Sequence, residues 1–309
     1  MSCTDHPSLA GLVVLERGWL SSNSLLVPDA SGGLLIDSGH VNHAAQTLAL
    51  VTHALQGQRL ARIVNTHLHS DHCGGNASLQ RAFGAAVWVP EASADAVRAW
   101  DGDALTYDAT GQRCERFTVQ GATRAGDVIE AGGCRLEVIE APGHDPQSTM
   151  LFERSRGLLV SADALWENGF GVVFPELDGE PGFGDVAAVL DAIEGLPVQL
   201  VVPGHGAPFI DVHGALVRAR SRLAAFIADP RRHARHGAKV LVKYHLMEVG
   251  EEAIVDLRAW TLSTRLLRTV WEAHGRGEAD SADDWAAQLA DELVTAGALS
   301  RRADRLIDA

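Results

Sequence analysis

Between Thr66 and His72 the chain reads Thr-His-Leu-His-Ser-Asp-His, which places three imidazoles and a carboxylate side by side. Neutral imidazole and carboxylate are good ligands for Zn²⁺ and its neighbours among the transition metals. The preceding run ARIVNTH (61–67) has the composition of a strand. On an extended segment His67 and His69 point the same way, because side chains repeat every second residue. They can therefore grip one ion. Asp71 and His72 follow where the chain turns, so they face a second point and can bind a second ion. Gly74 and Gly75 let the backbone turn tightly into a helix. The competing reading is a chance cluster on a solvated loop.

Three further groups sit at predicted strand ends beside small or turn-forming residues. His144 lies in Pro142-Gly143-His144-Asp145, Asp163 ends the apolar strand LLVSAD, and His205 lies in Pro203-Gly204-His205-Gly206. Alone, each reads as a turn or a helix cap. Beside the first motif they read as distal ligands of one site. Two ions roughly 3.5–4 Å apart can share a hydroxide and draw its pKa toward neutrality. The chemistry expected is hydrolysis of a carboxylic or related ester. Asp71 is the expected catalytic residue, orienting the nucleophile or passing a proton to the leaving group.

The elements that position these groups alternate through the first two thirds of the chain. Segments 24–29 and 33–39 predict a β-hairpin, and residues 43–55 carry helical spacing. A helix is predicted over 76–84, with Gly84 as its stop, and a strand over 85–90. Further strands are predicted at 134–144, 156–165 and 198–206. Between the last two lies a helix over 185–194 that Asp185 could cap. Strands mixed with helices in this way indicate an α/β or α+β sandwich. Beyond about residue 212 the sequence becomes helix-like and strand signals nearly vanish. Two units are therefore expected, a catalytic domain over 1–212 and a helical C-terminal appendage over 213–309.

Composition narrows the class. With 46% hydrophobic and 21% charged residues the chain is that of a folded globular protein. A formal net charge of −14 argues against nucleic-acid binding by the surface as a whole. Cys3, Cys73, Cys114 and Cys134 show no CxxC spacing and read as free thiols in a reducing compartment. The N-terminal stretch has no signal-like layout, and no apolar run reaches spanning length. A cytoplasmic location without membrane attachment is expected.

Taken together, these motifs resemble those of the metallo-β-lactamase-fold hydrolase superfamily. The matching pieces are His67-Leu-His69-Ser-Asp71-His72, Pro142-Gly143-His144, Asp163 after an apolar strand, and Gly204-His205-Gly206, in the family's order. Leu35-Ile36-Asp37-Ser38-Gly39 resembles the family's early strand and turn, whose Asp supports the metal loop. The resemblance covers about residues 11–212. It implies an α+β fold, an αββα sandwich with the metals at one edge. It also implies roles: His67, His69 and His144 on the first metal, Asp71, His72 and His205 on the second, and Asp163 bridging. Glyoxalase II-like thioesterases and N-acyl-homoserine lactonases share this seven-ligand set, whereas the true β-lactamases lack the bridging aspartate. The lactonases carry a Tyr shortly after that aspartate. Here Trp166 stands in the stretch and no Tyr does, which counts against a lactonase. Two Zn²⁺ ions are expected, although the same donors accept Fe or Mn. The resemblance leaves a persulfide dioxygenase-like enzyme with one iron as the rival reaction class.

Other residues carry open readings. Cys73 is either a packed small side chain or a soft ligand, with packing favoured. Trp166, Phe170 and Phe174 either line the substrate pocket or fill the core. His40 and His43 read as surface residues at a helix start. Arg218, Arg220, Arg222, Arg231, Arg232, Arg235, Lys239 and Lys243 form either a solvated helical face or a clamp for an acidic small-molecule substrate, such as a coenzyme A or glutathione conjugate. The C-terminal part resembles the winged-helix-type appendage of some family members, including RNA-cleaving ones. That supplies a phosphodiesterase or ribonuclease as an alternative. A homodimer interface on the appendage is a third reading, and it can coexist with catalysis. Replacing Asp163 by Ala is expected to lower metal content and abolish turnover. Elemental analysis beside an activity assay checks this, and retention of both metals with full activity would overturn the bridging role.

Overall fold

The computed structural model describes residues 5–309, so Cys3 lies outside the described residues. Two sheets form the centre. The first has six strands in the order β1 (Val13–Leu15), β2 (Ser24–Val27), β3 (Gly33–Ile36), β4 (Leu60–Val64), β5 (Ala86–Pro90) and β6 (Gly121–Thr123). The second runs β7 (Val128–Ala131), β8 (Cys134–Glu140), β9 (Thr149–Glu153), β10 (Leu158–Ala162) and β11 (Leu200–Pro203), each beside the next. β2 and β3 pair antiparallel as the predicted hairpin, β3 to β6 pair in parallel, and β10 pairs with β11 in parallel.

The period of two along each strand builds the layers. Leu25, Val27, Leu34, Ile36 and Val64 face across to Leu136, Val138, Leu151, Leu158, Val160, Leu200 and Val202, and together they fill the space between the sheets. The alternate residues face outward onto helices. Leu26, Leu35 and Ile63 meet α1 (Ala44–Leu55), α3 (Asn76–Phe83) and α4 (Glu91–Ala99). Phe152, Leu159 and Val201 meet α7 (Phe183–Glu194) and α8 (Val212–Ala228). The result is the αββα sandwich that the sequence implied. Strands buried on both faces explain why β3, β10 and β11 read as continuous apolar runs. Short helices α2 (Ser70–Cys73), α5 (Tyr107–Thr110) and α6 (Phe174–Leu177) lie in the loops near the site.

The change of pattern near residue 212 coincides with the start of α8. Its buried residues Ala215, Leu216, Ala219, Leu223 and Phe226 join the outer layer of the second sheet. A separate cluster draws on α9 (Pro230–Val249), α10 (Ile254–Ser263), α11 (Arg265–Ala273) and α12 (Ala282–Thr295), with Trp285 among its most buried side chains. It also takes in Val172 and Leu177, which ties the appendage to the sandwich.

Two expectations need correction. The C-terminal part is not purely helical: β12 (Glu251–Ala253), β14 (Arg305–Asp308) and β13 (Leu299–Arg302) form a small antiparallel sheet. These strands have three or four residues and β13 buries only Leu299, too little for an alternating pattern to register. Asp185 does not cap α7. It lies in the first turn, and the Glu176 carboxylate accepts from the Gly182 and Phe183 N–H groups instead. No helix is long and apolar enough to cross a membrane among the described residues. Replacing Trp285 by Ala is expected to destabilise the protein by about 3–5 kcal/mol through the cavity it leaves. The denaturant midpoint would report this, and an unchanged midpoint would contradict the packing described.

Candidate metal centre

The ends of four strands deliver the donor groups. His67 and His69 follow β4, His144 follows β8, Asp163 follows β10 and His205 follows β11. Asp71 and His72 sit on α2, where the chain turns. All seven side chains are buried. They fall into two groups whose ligand atoms lie within 4.8 Å of one another: His67, His69 and His144, and Asp71, His72, Asp163 and His205. The structure thus brings together every predicted ligand. Asp163 lies between the groups, with Oδ2 at 3.3 Å from His144 Nε2 and Oδ1 at 3.5 Å from His72 Nε2.

The ring nitrogens are arranged as a cation would need. His144 Nδ1–H donates to the Val172 carbonyl at 2.6 Å, so Nε2 of the neutral ring is a bare lone pair. That lone pair faces His69 Nδ1 at 2.8 Å, which in turn lies 3.1 Å from His67 Nε2. Converging acceptors of this kind are relieved by a positive ion among them. His72 Nδ1–H donates to Asp37 Oδ2 at 2.8 Å, and its Nε2, turned toward Asp163, has no hydrogen-bond partner. The donor set therefore fits a pair of metal ions.

Protonation follows the same logic. Burial holds the His67 imidazole well below its usual range, and the neighbouring histidines add to the effect. Burial likewise brings His69 and His144 to about 4. These rings are neutral at pH 7, as ligands must be. For Asp71, burial pushes upward, but His72 and His205 overcome it and hold the carboxyl at about 2. His72, His205 and His144 hold the Asp163 carboxyl well below the usual range against the same penalty. His72 shows the reverse balance: burial lowers its pKa, and Asp37, Asp71 and Asp163 raise it well above normal.

Asp37 shapes the loop from behind. Its carboxylate accepts from Thr66 N–H at 2.9 Å, Thr66 Oγ1–H at 2.8 Å and the His72 ring. It does so with φ of 56°, and Ala162, just before Asp163, has φ of 47°. Two non-glycine residues in the left-handed region, each at a strand end beside the donors, mark backbone bent to aim side chains. Gly204 permits a close approach, because a Cβ there would lie 2.1 Å from Asp163 Oδ1.

Above the donors lies a cavity of about 570 Å³ with Trp19, Trp166, Phe174, Tyr244 and Met247 in its walls. Trp19 stacks on His205 at 5.4 Å and meets Trp166 edge-on at 5.6 Å. The Trp166 Nε1–H donates to Asp163 Oδ1 at 3.2 Å. Sequence reasoning missed Trp19, Gln112 and Tyr244. Tyr244 arrives from α9, and its hydroxyl shares a 2.7 Å hydrogen bond with Ser70 Oγ on the metal loop. Only its place in the helical pattern AKVLVKYHLMEV was visible beforehand.

Trp166 and Phe174 line the cavity, whereas Phe170 is 2% exposed and belongs to the core. Cys73 is buried with its Sγ 3.2 Å from Tyr107 Oη and 3.7 Å from Cys114 Sγ. His40 is not a surface residue: it is fully buried, with Nε2 at 2.9 Å from Glu248 Oε1. His43 is half-buried and shares a hydrogen bond with Ser21 Oγ at 2.8 Å. The helix α9 covers this region, which no local pattern around His40 announces. Much of the basic run is neutralised, Arg220 by Asp191 and Glu194, Arg235 by Glu278 and Glu292, Lys239 by Glu292, and Lys243 by Asp308.

Residues 17–205 match the family model of the metallo-beta-lactamase superfamily. The chain belongs to this superfamily. Acyl-coenzyme A thioesterase MBLAC2 of Homo sapiens is 28% identical over 208 residues, covering 62% of this chain and 68% of the relative. A hydroxyacylglutathione hydrolase of Polaromonas sp. is 30% identical over 206 residues, covering 62% and 66%. This superfamily member is a metal-dependent hydrolase. A metallo-beta-lactamase family protein of Thermus thermophilus shares the fold along nearly the whole chain. Its TM-score is 0.57 at 20% identity, covering 97% of this chain and 99% of that one. A further protein, solved in a di-iron-bound form, is 25% identical with a TM-score of 0.53, covering 67% and 98%.

Replacing Asp37 by Ala removes the acceptor that orients His72. Metal affinity is expected to fall by about 10–100-fold, the usual cost of losing such an outer partner. Competition with a chromophoric chelator measures it, and an unchanged affinity would show that Asp37 does not set the ligand.

Proposed function

We propose that this hydrolase uses a binuclear site to cleave a small-molecule thioester, lactone or related ester, with thioesters the preferred class. The observation that carries the reading is the reach of Asp163, a member of the second donor group, whose Oδ1 lies 3.5 Å from His72 Nε2 within that group and whose Oδ2 lies 3.3 Å from His144 Nε2 in the first. One ion would sit on His67, His69 and His144, and the other on Asp71, His72 and His205, with Asp163 shared. Ions held there supply a hydroxide nucleophile at neutral pH and a Lewis acid for the substrate carbonyl. Zinc is the proposed metal. Iron and manganese suit the same donors.

The chain's own residues do the rest. Trp19, Trp166 and Phe174 give the acyl group an apolar seat and exclude water from the reacting carbonyl. Asp71, ionised and lining the cavity, orients the attacking hydroxide and carries the proton that this hydroxide retains to the leaving thiolate. A thiol leaving group departs readily because its pKa is only about 8.5, so a single carboxylate suffices as the proton carrier. The relatives named as a thioesterase and a hydroxyacylglutathione hydrolase support the thioester class. We further propose that the chain divides functionally near 212/213, into a catalytic part and a C-terminal part whose α9 walls the cavity.

The test is a hydrolysis panel on zinc-loaded protein. It comprises an acyl-coenzyme A, an acyl-glutathione, a homoserine lactone, a β-lactam and a phosphodiester, with oxygen uptake followed in parallel on iron-loaded protein. Thioester turnover is expected, with Asp71→Ala lowering kcat by about 10²–10⁴-fold as befits a lost proton carrier. Oxygen consumption without hydrolysis, or cleavage of the phosphodiester alone, would overturn the reading.

A further inference from the structure

One cation of the basic run has no acidic partner although its surroundings are built for it. Arg222 on α8 lies over two rings, its guanidinium carbon 5.6 Å from Phe170 and 5.3 Å from Phe226. Its Nη2–H donates to His236 Nε2 on α9 at 2.6 Å. Burial, with the Arg222 charge behind it, brings His236 to about 4, so the ring is a neutral acceptor and adds no charge. Gly169 makes room for the guanidinium, since a Cβ there would lie 2.8 Å from Arg222 Nη1. Among the described residues no carboxylate lies within 4 Å of this group. A guanidinium fixed by stacked rings but left without an anion is a prepared half of an ion pair.

Arg222 and His236 stand at a junction. They line the cavity above the metal donors, and they also line an open groove of about 650 Å³ between α8 and α9. That groove adds Arg218, Ser221 and Arg232 and contains no acidic side chain. Arg218 pairs with Asp211 at 3.3 Å and donates to the Glu167 carbonyl at 2.8 Å, while Arg232 is exposed. With Arg218 compensated by Asp211, Arg222 and Arg232 leave the groove a local excess of positive charge against a net charge of −14.

We infer that this groove binds the phosphate-bearing tail of the substrate, placing its acyl end over the metal donors. The inference rests on the thioester reading above and adds the class of the carrier. Guanidinium forks suit both carboxylate and phosphate. A glutathione tail carries an ammonium as well as carboxylates, and that ammonium would find no acid in the groove. A tail whose charges are all phosphate leaves nothing unpaired. The carrier thiol is therefore of the coenzyme A kind, long enough for its phosphates to lie outside the cavity while the thioester lies within.

Binding of coenzyme A itself tests this without any turnover. Calorimetry on the full metal-loaded chain would compare coenzyme A, pantetheine, which lacks phosphate, and glutathione. Arg222→Lys removes the fork, and Arg232→Glu changes an exposed side chain that the fold does not need. Arg268→Glu, an equal change of charge on α11 outside the groove, is the control. Coenzyme A is expected to bind more tightly than pantetheine, and both groove variants to weaken it by about tenfold or more, the loss of one charge-assisted contact. Equal binding of coenzyme A and pantetheine, equal loss in all three variants, or a loss confined to glutathione would each overturn the proposal. Coenzyme A binding by a protein that hydrolyses no thioester would sink the hydrolytic reading and leave the groove standing.

Discussion

A buried carboxylate without water must find donors, and Asp37 finds three on one neighbouring loop. It takes the Thr66 N–H, the Thr66 hydroxyl and the His72 ring, from a backbone bent into the left-handed region at the end of β3. That anchor holds the loop after β4, and the loop carries four of the seven candidate metal donors. The anchor also decides which nitrogen of His72 is free, because the proton on Nδ1 is committed to Asp37. Burial keeps His67, His69 and His144 neutral, while the neighbouring histidines keep the Asp71 and Asp163 carboxylates ionised in the same dry site.

The sandwich makes this possible by carrying the remaining donors on stiff supports. β8, β10 and β11 all end at the same edge, and their alternating side chains are committed to the layers on both faces. Register therefore cannot slip without turning apolar residues toward water. His144, Asp163 and His205 inherit that rigidity. The bend at Ala162 and the missing side chain at Gly204 are local adjustments on an otherwise regular frame.

The appendage has a core of its own and also reaches the site. α9 brings Tyr244 to Ser70, Glu248 to His40 and His236 to Arg222. It closes one wall of a cavity whose floor belongs to the sandwich. The cavity is thus built by both parts: the strand ends carry the candidate donors, and α9 adds Lys239, Tyr244 and Met247 to its wall.

Much of the fold and all seven candidate donors were legible in the sequence. The spacing from His67 to His72 is a local pattern, and the turns around His144 and His205 and the apolar run before Asp163 are local as well. The alternation that separates the inner from the outer faces of β3 and β10 is also written in consecutive residues. What the chain order could not convey was coverage. His40 looked exposed because its partner Glu248 lies 208 residues away. Phe170 and Phe174 could not be separated, since lining a cavity or filling a core depends on which helix arrives from elsewhere. The basic run could not be sorted until its acids were in place, which left Arg222 as the stacked, acid-free cation at the junction. Local pattern fixes which elements form and which donors they carry, because hydrophobic periodicity and ligand chemistry act over a few residues. Burial and charge pairing belong to the tertiary structure, because they depend on neighbours that the sequence does not place side by side.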